Sequence, residues 1–165
     1  MNRNANIITT PSIARAGDDL VQLITPERLE AIYRQAEATY PRECCGMILA
    51  SGALRPCENA QDKLHRLDPN EFPRTALNGY CFEVEDQLFL CRSLESKDPV
   101  RIVYHSHPNA PPDFSETDRR GAEHGGGATY PELGFLVVQI GSDHVRAARC
   151  YAFIEGCFRE RASWP

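Results

Sequence analysis

Arg101-Ile102-Val103-Tyr104-His105-Ser106-His107-Pro108 reads as a β-rich segment that ends in two histidines spaced i, i+2. Residues two apart on a strand face the same side of a sheet, so His105 and His107 present two imidazoles to one point while Ser106 turns to the opposite face. Prolines 108, 111 and 112 stiffen the loop that follows. Asp118 lies eleven residues after His107, in the first turn of a helix expected over Ser115 to Ala122, from which a carboxylate can swing back to the same point. Two nitrogens and one oxygen suit zinc, and three protein ligands leave a fourth tetrahedral position open for water. Hydrolysis is the natural reaction class for such a site. Ser115-x-x-Asp118 is also the pattern of a helix capping box. The two roles are compatible, because the first turn of a helix already aims a hydroxyl and backbone amides outward.

Working outward, Gly134 to Ile140 and Val145 to Ile154 read as a last pair of strands joined by Gly141-Ser142-Asp143. Gly125-Gly126-Gly127 breaks any continuation of the preceding helix. Upstream, Cys44 to Ala50 is an almost unbroken apolar run of strand length, turned by Ser51-Gly52 into a hairpin with Leu54 to Cys57. Thr25-Pro26 supplies an N-cap followed by proline at the first helical position. Leu29, Ile32, Tyr33, Ala36 and Tyr40 then recur at helical spacing until Pro41. Leu20 to Ile24 is expected as a first strand, Glu58 to Thr75 as a long loop, Tyr80 to Val84 as a strand and Glu85 to Leu94 as a short helix. Strands and helices alternate without a regular βαβ rhythm, which predicts a mixed α/β fold with a partly antiparallel sheet flanked by helices.

The chain has 165 residues, enough for one domain but not two cores. Residues 1–18 read as a flexible N-terminal arm and 19–165 as the domain. Lys and Arg number 18 against 23 Asp and Glu, a net charge of −5, so no global field favours nucleic acid or an anionic membrane. The longest apolar runs fall far below the roughly 20 residues that span a bilayer, and the first twenty residues lack a signal-peptide core. A cytoplasmic location is therefore expected. Seven cysteines are odd in number and form no C-x-x-C pair, which suggests neither a disulfide framework nor a zinc ribbon; most are expected to be small buried apolar residues. His124-Gly125-Gly126-Gly127 copies the oxyanion loop of lipases, but the chain has no G-x-S-x-G nucleophile elbow. Cys45 sits in an apolar strand where a thiolate is disfavoured. His65 and His144 lie in polar segments and are expected to be solvated.

His105-Ser106-His107-Pro108, Ser115 and Asp118, with an upstream glutamate in Glu43-Cys44-Cys45-Gly46 leading into an apolar strand, resemble the JAMM/MPN (JAB-type) metalloprotease family. Asn59-Ala60, Phe114, Tyr130-Pro131 and Phe135 to Val138 extend the likeness to its compact bacterial branch, over about residues 20 to 160. The resemblance implies a single MPN-type domain of cytidine-deaminase-like architecture, with Zn2+ on His105, His107 and Asp118. It also implies Glu43 as general base and Ser115 as a donor to the oxyanion. The implied substrate is a ubiquitin-like or sulfur-carrier protein, cut at the peptide or isopeptide bond after its C-terminal Gly-Gly. The compact bacterial relatives favour a sulfur carrier, from which a terminal residue or small adduct is trimmed. Two alternatives accompany that reading: a deconjugating isopeptidase of a bacterial ubiquitin-like system, and a zinc-free MPN scaffold that only docks a partner.

Overall fold

A computed structural model describes residues 17–144 and 146–165. The expected N-terminal arm falls outside the described residues as far as position 16, and helix α1 (Asp18–Gln22) begins directly after Gly17. Leu20 to Ile24 therefore opens a helical turn and not the expected strand. Leu20 and Ile24, i and i+4, both enter the core, and Asp18 and Asp19 lie in the first turn, where acidic side chains suit the helix dipole. Ion pairs from Arg161 to Asp18 (2.7 Å) and from Arg101 to Asp19 (2.5 Å) hold this helix down. Helix α2 (Pro26–Thr39) forms as the sequence predicts, with Thr25 accepting from the Arg28 amide (3.4 Å) and Pro26 in the first turn. Its buried face is Leu29, Ile32, Tyr33 and Ala36.

Strands β1 (Cys45–Leu49) and β2 (Leu54–Cys57) make the expected hairpin. The stretch from Glu58 to Thr75 is not a plain loop, since it contains helix α3 (Gln61–Leu67). The next expected strand, Tyr80 to Val84, is reduced to an isolated bridge between Asn59 and Phe82. The Asn59 side chain, not a neighbouring strand, takes the Gly79 carbonyl and the Cys81 amide (3.0 and 3.2 Å). Helix α4 (Val84–Ser93) follows. It is fixed to β2 by Arg55, which pairs with Asp86 at 2.6 Å and covers the Phe89 ring at 4.2 Å. Strand β3 (Val100–Pro108) carries the two histidines towards its C-terminal end, as expected, and runs on as far as Pro108. Helix α5 (Glu116–Ala122) follows, then the small hairpin of β4 (Glu123–His124) and β5 (Gly127–Ala128), and β6 (Gly134–Ile140). Strand β7 (Arg146–Ile154) is succeeded by a further strand, β8 (Cys157–Trp164). The sequence Cys-Phe-Arg-Glu-Arg-Ala-Ser-Trp, rich in charge, hides β8 because an edge strand has little apolar pattern to show.

The main sheet runs β2-β1-β3-β6-β7-β8, with β3 and β6 parallel and all other neighbours antiparallel. Period-two alternation separates two cores. Ile102, Tyr104, Leu136, Val138 and Cys150 pack with α1 and α2 on one face, while Met47, Val103, Phe135 and Val137 face the side of α4 and α5. Three of the seven cysteines, Cys44, Cys45 and Cys150, are buried; Cys57 and Cys81 are half-buried and Cys91 and Cys157 exposed. Among the described residues no helix is long and apolar enough to cross a membrane.

Candidate metal centre and active-site cleft

The alternation of β3 decides which side chains meet. Val103, His105 and His107 project towards α4 and α5, and Ser106 projects towards α2. There its fully buried hydroxyl accepts from the Cys44 amide at 2.9 Å, while its own amide donates to the Cys44 carbonyl at 3.1 Å. Ser106 is thus no catalytic residue; it locks β3 to the entry of β1. Cys45 pairs with His105 across the antiparallel ladder, which brings Glu43, two residues before Cys45, beside the histidines.

Glu43 is 7% exposed, and both its backbone groups are tied. Its amide donates to the Ala76 carbonyl at 2.7 Å and its carbonyl accepts from Asn59 Nδ2 at 3.0 Å. Asn59 Oδ1 in turn accepts from the amides of Gln61 (3.0 Å) and Cys81. One asparagine therefore fastens the start of β1, the start of α3 and the wall formed by residues 79–82. Burial pushes the Glu43 carboxyl up to about 7, with His107 and Arg74 pulling it down and Asp118 adding to the rise. A carboxylate so placed can exchange a proton near neutral pH.

His105 is fully buried and stacks on the Tyr80 ring, 4.5 Å between centroids at 22°. Its Nδ1 is buried without a hydrogen-bond partner among the described residues. His107 Nδ1 lies 2.9 Å from the Pro111 carbonyl. A carbonyl only accepts, so that nitrogen carries the hydrogen and Nε2 turns its lone pair to the site. Asp118 is held by a complete capping box: Ser115 Oγ accepts from the Asp118 amide at 3.1 Å, and Asp118 Oδ2 accepts from the Ser115 amide at 2.8 Å.

The donor atoms, one from each residue, lie within 4.8 Å of one another. His105 Nε2 and His107 Nε2 are 3.1 Å apart; Asp118 Oδ1 is 3.2 Å from the first, and Asp118 Oδ2 is 3.5 Å from the second. Zinc bonds of about 2.0 to 2.1 Å in a tetrahedron place neighbouring ligands roughly 3.3 Å apart. His105, His107 and Asp118 thus offer donors of the right kind, close enough together to hold a zinc ion. The surrounding electrostatics favour the ligating forms of His105 and Asp118, whereas His107 must give up a proton to bind a metal. Burial lowers His105 against the pull of Asp118, which keeps its imidazole neutral. For Asp118, burial works upward, but hydrogen bonds with His105, His107 and Ser115 prevail and hold the carboxyl far below its usual range. His107 is raised, since Asp118 and the Pro111 carbonyl outweigh its burial.

A cleft of about 560 Å³ opens onto this point. Its lining includes the polar Glu43, His107, Ser115 and Asp118 and the apolar Phe82, Val103, Leu133 and Phe135. All five residues singled out in the sequence thus gather at one place, His105 just behind the wall. Three neighbours were not legible: Asn59 as the fastener of Glu43, Tyr80 as the plate under His105, and Arg74 on the cleft wall. A lone polar residue in an aperiodic segment carries no spacing signal, and for Asn59 only the family likeness offered a hint. Of the rejected candidates, His124 and His144 are exposed, whereas His65 is not simply solvated, because its Nδ1 lies 2.8 Å from the Phe72 carbonyl. Burial raises the Cys44 thiol to about 11 and pushes Cys45 up as well, so neither is a nucleophile.

Residues 25–151 match the family of prokaryotic homologs of the JAB domain, and the chain belongs to it. It is 25% identical over 149 residues to proteins named CysO-cysteine peptidase from Mycobacterium bovis and Mycobacterium tuberculosis, a similarity that covers 90% of this chain and 93% of theirs. In fold it resembles a protein from Desulfitobacterium hafniense solved in solution, with a TM-score of 0.57 and 18% identity over 83% of this chain and 87% of that one.

Proposed function

We propose that the chain is a zinc-dependent peptidase that hydrolyses the bond after the C-terminal Gly-Gly of a ubiquitin-like sulfur-carrier protein. The convergence of His105, His107 and Asp118 on a cleft that also holds Glu43 carries this reading. Similarity to CysO-cysteine peptidases supports the substrate class. Zinc on these ligands supplies Lewis acidity and brings the pKa of a water from 15.7 to about 7. Glu43 accepts the proton of the attacking water and returns it to the leaving amine as the C–N bond breaks and a C–O bond forms. One water is consumed, and the products are the carrier with its Gly-Gly carboxylate and a free amine. Ser115 Oγ already accepts from the Asp118 amide. Its hydroxyl hydrogen is left to donate to the oxygen on which charge develops, which stabilises that charge where it appears. His107 keeps its orientation through Pro111, and Asp118 keeps its position through the capping box.

Metal analysis tests this directly. The purified protein is expected to hold about one zinc per chain, and His107→Ala to lose it while keeping its circular dichroism. Undiminished zinc in His107→Ala contradicts the ligand set, and absence of zinc from the native protein after growth with zinc favours a docking scaffold.

A further inference from the structure

We propose that Arg74 receives the free α-carboxylate of the residue that leaves after Gly-Gly, so that the enzyme removes a single C-terminal residue in preference to a lysine side-chain adduct. This rests on the peptidase reading above and adds to it the chemical class of the leaving group.

Arg74 lines the cleft beside Glu43, His107 and Asp118. Among the described residues lining the cleft it is the only permanent cation, and no carboxylate lies within 4.0 Å of it, whereas Arg42, Arg55 and Arg119 each have an acidic partner. It is nevertheless held in place. Its Nη1 donates to the Asn78 carbonyl at 3.4 Å and its Nη2 to Thr117 Oγ1, on the residue next to Asp118. Its stem lies along Gly79, where an added Cβ would meet Arg74 Cδ at 3.4 Å and Cβ at 3.5 Å. The backbone is fixed too, since the buried Gln61 amide donates to the Arg74 carbonyl at 3.1 Å. Arg74 also counts among the charges that draw the Glu43 proton off, which places its field on the reacting groups.

Such a guanidinium is prepared for a planar anion. A substrate carboxylate entering this cleft otherwise faces Glu43 and Asp118, and like charges repel. In a C-terminal residue the carboxylate sits one carbon beyond the scissile nitrogen. A lysine adduct leaves instead a neutral aliphatic stem at that distance, which gives Arg74 nothing to bind.

The test uses a folded sulfur-carrier protein made by ligation to end in Gly-Gly-Ala, as the free carboxylate and as the carboxamide. Wild-type enzyme is expected to lose about 10- to 100-fold in kcat/KM on amidation, the range of a hydrogen bond to a charged group. In Arg74→Gln the ratio of the two substrates should fall to about one, and Arg74→Lys should retain part of it. Calorimetric binding to the Glu43→Gln protein should show the same preference for the carboxylate without turnover. Equal cleavage of both forms by wild type, or an undiminished preference in Arg74→Gln, overturns the assignment to Arg74 and leaves the peptidase reading intact. Failure to cleave either form sinks the peptidase reading and this inference with it.

Discussion

Glu43 and Ser115 each combine a structural placement with a proposed catalytic role, and substitutions separate the two. In the metal-free protein Glu43 has its pKa raised from 4.5 to about 7, chiefly by burial. The folded state then binds a proton that the unfolded state has released, so the raised pKa favours folding at low pH and this contribution is lost as pH rises from about 4.5 to about 7. Relative to Glu43→Gln, which carries no such proton, wild-type stability is expected to fall by about 3 kcal/mol across that window. Denaturant titrations of both chelated proteins measure it, and parallel pH profiles would contradict the buried placement of Glu43. With zinc restored, Glu43→Gln should keep the metal and lose turnover. Ser115→Ala separates the oxyanion donor from the cap: kcat should drop roughly 10² to 10³-fold with zinc retained. A variant that merely loses about 1 kcal/mol of thermal stability, at full turnover, would leave Ser115 as a helix cap alone.

At the scale of elements, the site depends on how closely β1 and β3 approach. Gly46 lies opposite Tyr104, and a Cβ there would come within 2.2 Å of the Tyr104 hydroxyl and 2.7 Å of the Arg55 carbonyl. That hydroxyl is pinned by donating to Gln35 Oε1 at 2.6 Å on α2, so it cannot yield easily. Gly46→Ala is expected to destabilise by about 1 to 3 kcal/mol and to weaken activity by displacing Glu43, three residues away. A melting temperature equal to wild type would show that the two strands have room. The elements legible in the sequence are those whose apolar pattern is strong: α2 through its repeating buried face, β1 and β6 as continuous apolar runs, β3 as a β-rich segment. Histidines and Asp118 were legible because strand period and helix capping fix their directions locally. Elements stabilised by particular polar contacts were not. Helix α3 buries only Gln61 and leaves Asp62 to hold the Ala76 amide at 2.8 Å. Residues 79–82 stay extended on Asn59, and α1 is short enough that five apolar-rich residues read equally as a strand.

The whole molecule assigns its two sheet faces to different tasks. One is closed over by α1 and α2 around fully buried residues such as Ile32, Tyr104 and Leu136. The other leaves a cleft between α4, α5 and the segment before α4, with His105 and His107 on the central strand beneath it and Asp118 on α5. Ligands on a strand hydrogen-bonded on both sides are held more rigidly than ligands on loops. On the proposed function an extended tail enters this cleft, and glycine lets its backbone approach His107 and Asp118 closely. A short glycine tail offers little area of its own, whereas a stable protein contact buries on the order of 1,600 Å². On the proposed function, recognition then comes mainly from the folded body of the carrier. Mass spectrometry of two substrates tests this most directly: a folded sulfur-carrier protein extended past Gly-Gly, and a free peptide of the same tail. Release of the terminal residue from the folded protein, with little action on the peptide, is the expected result. Equal rates on both would contradict the carrier reading and describe a general metallopeptidase.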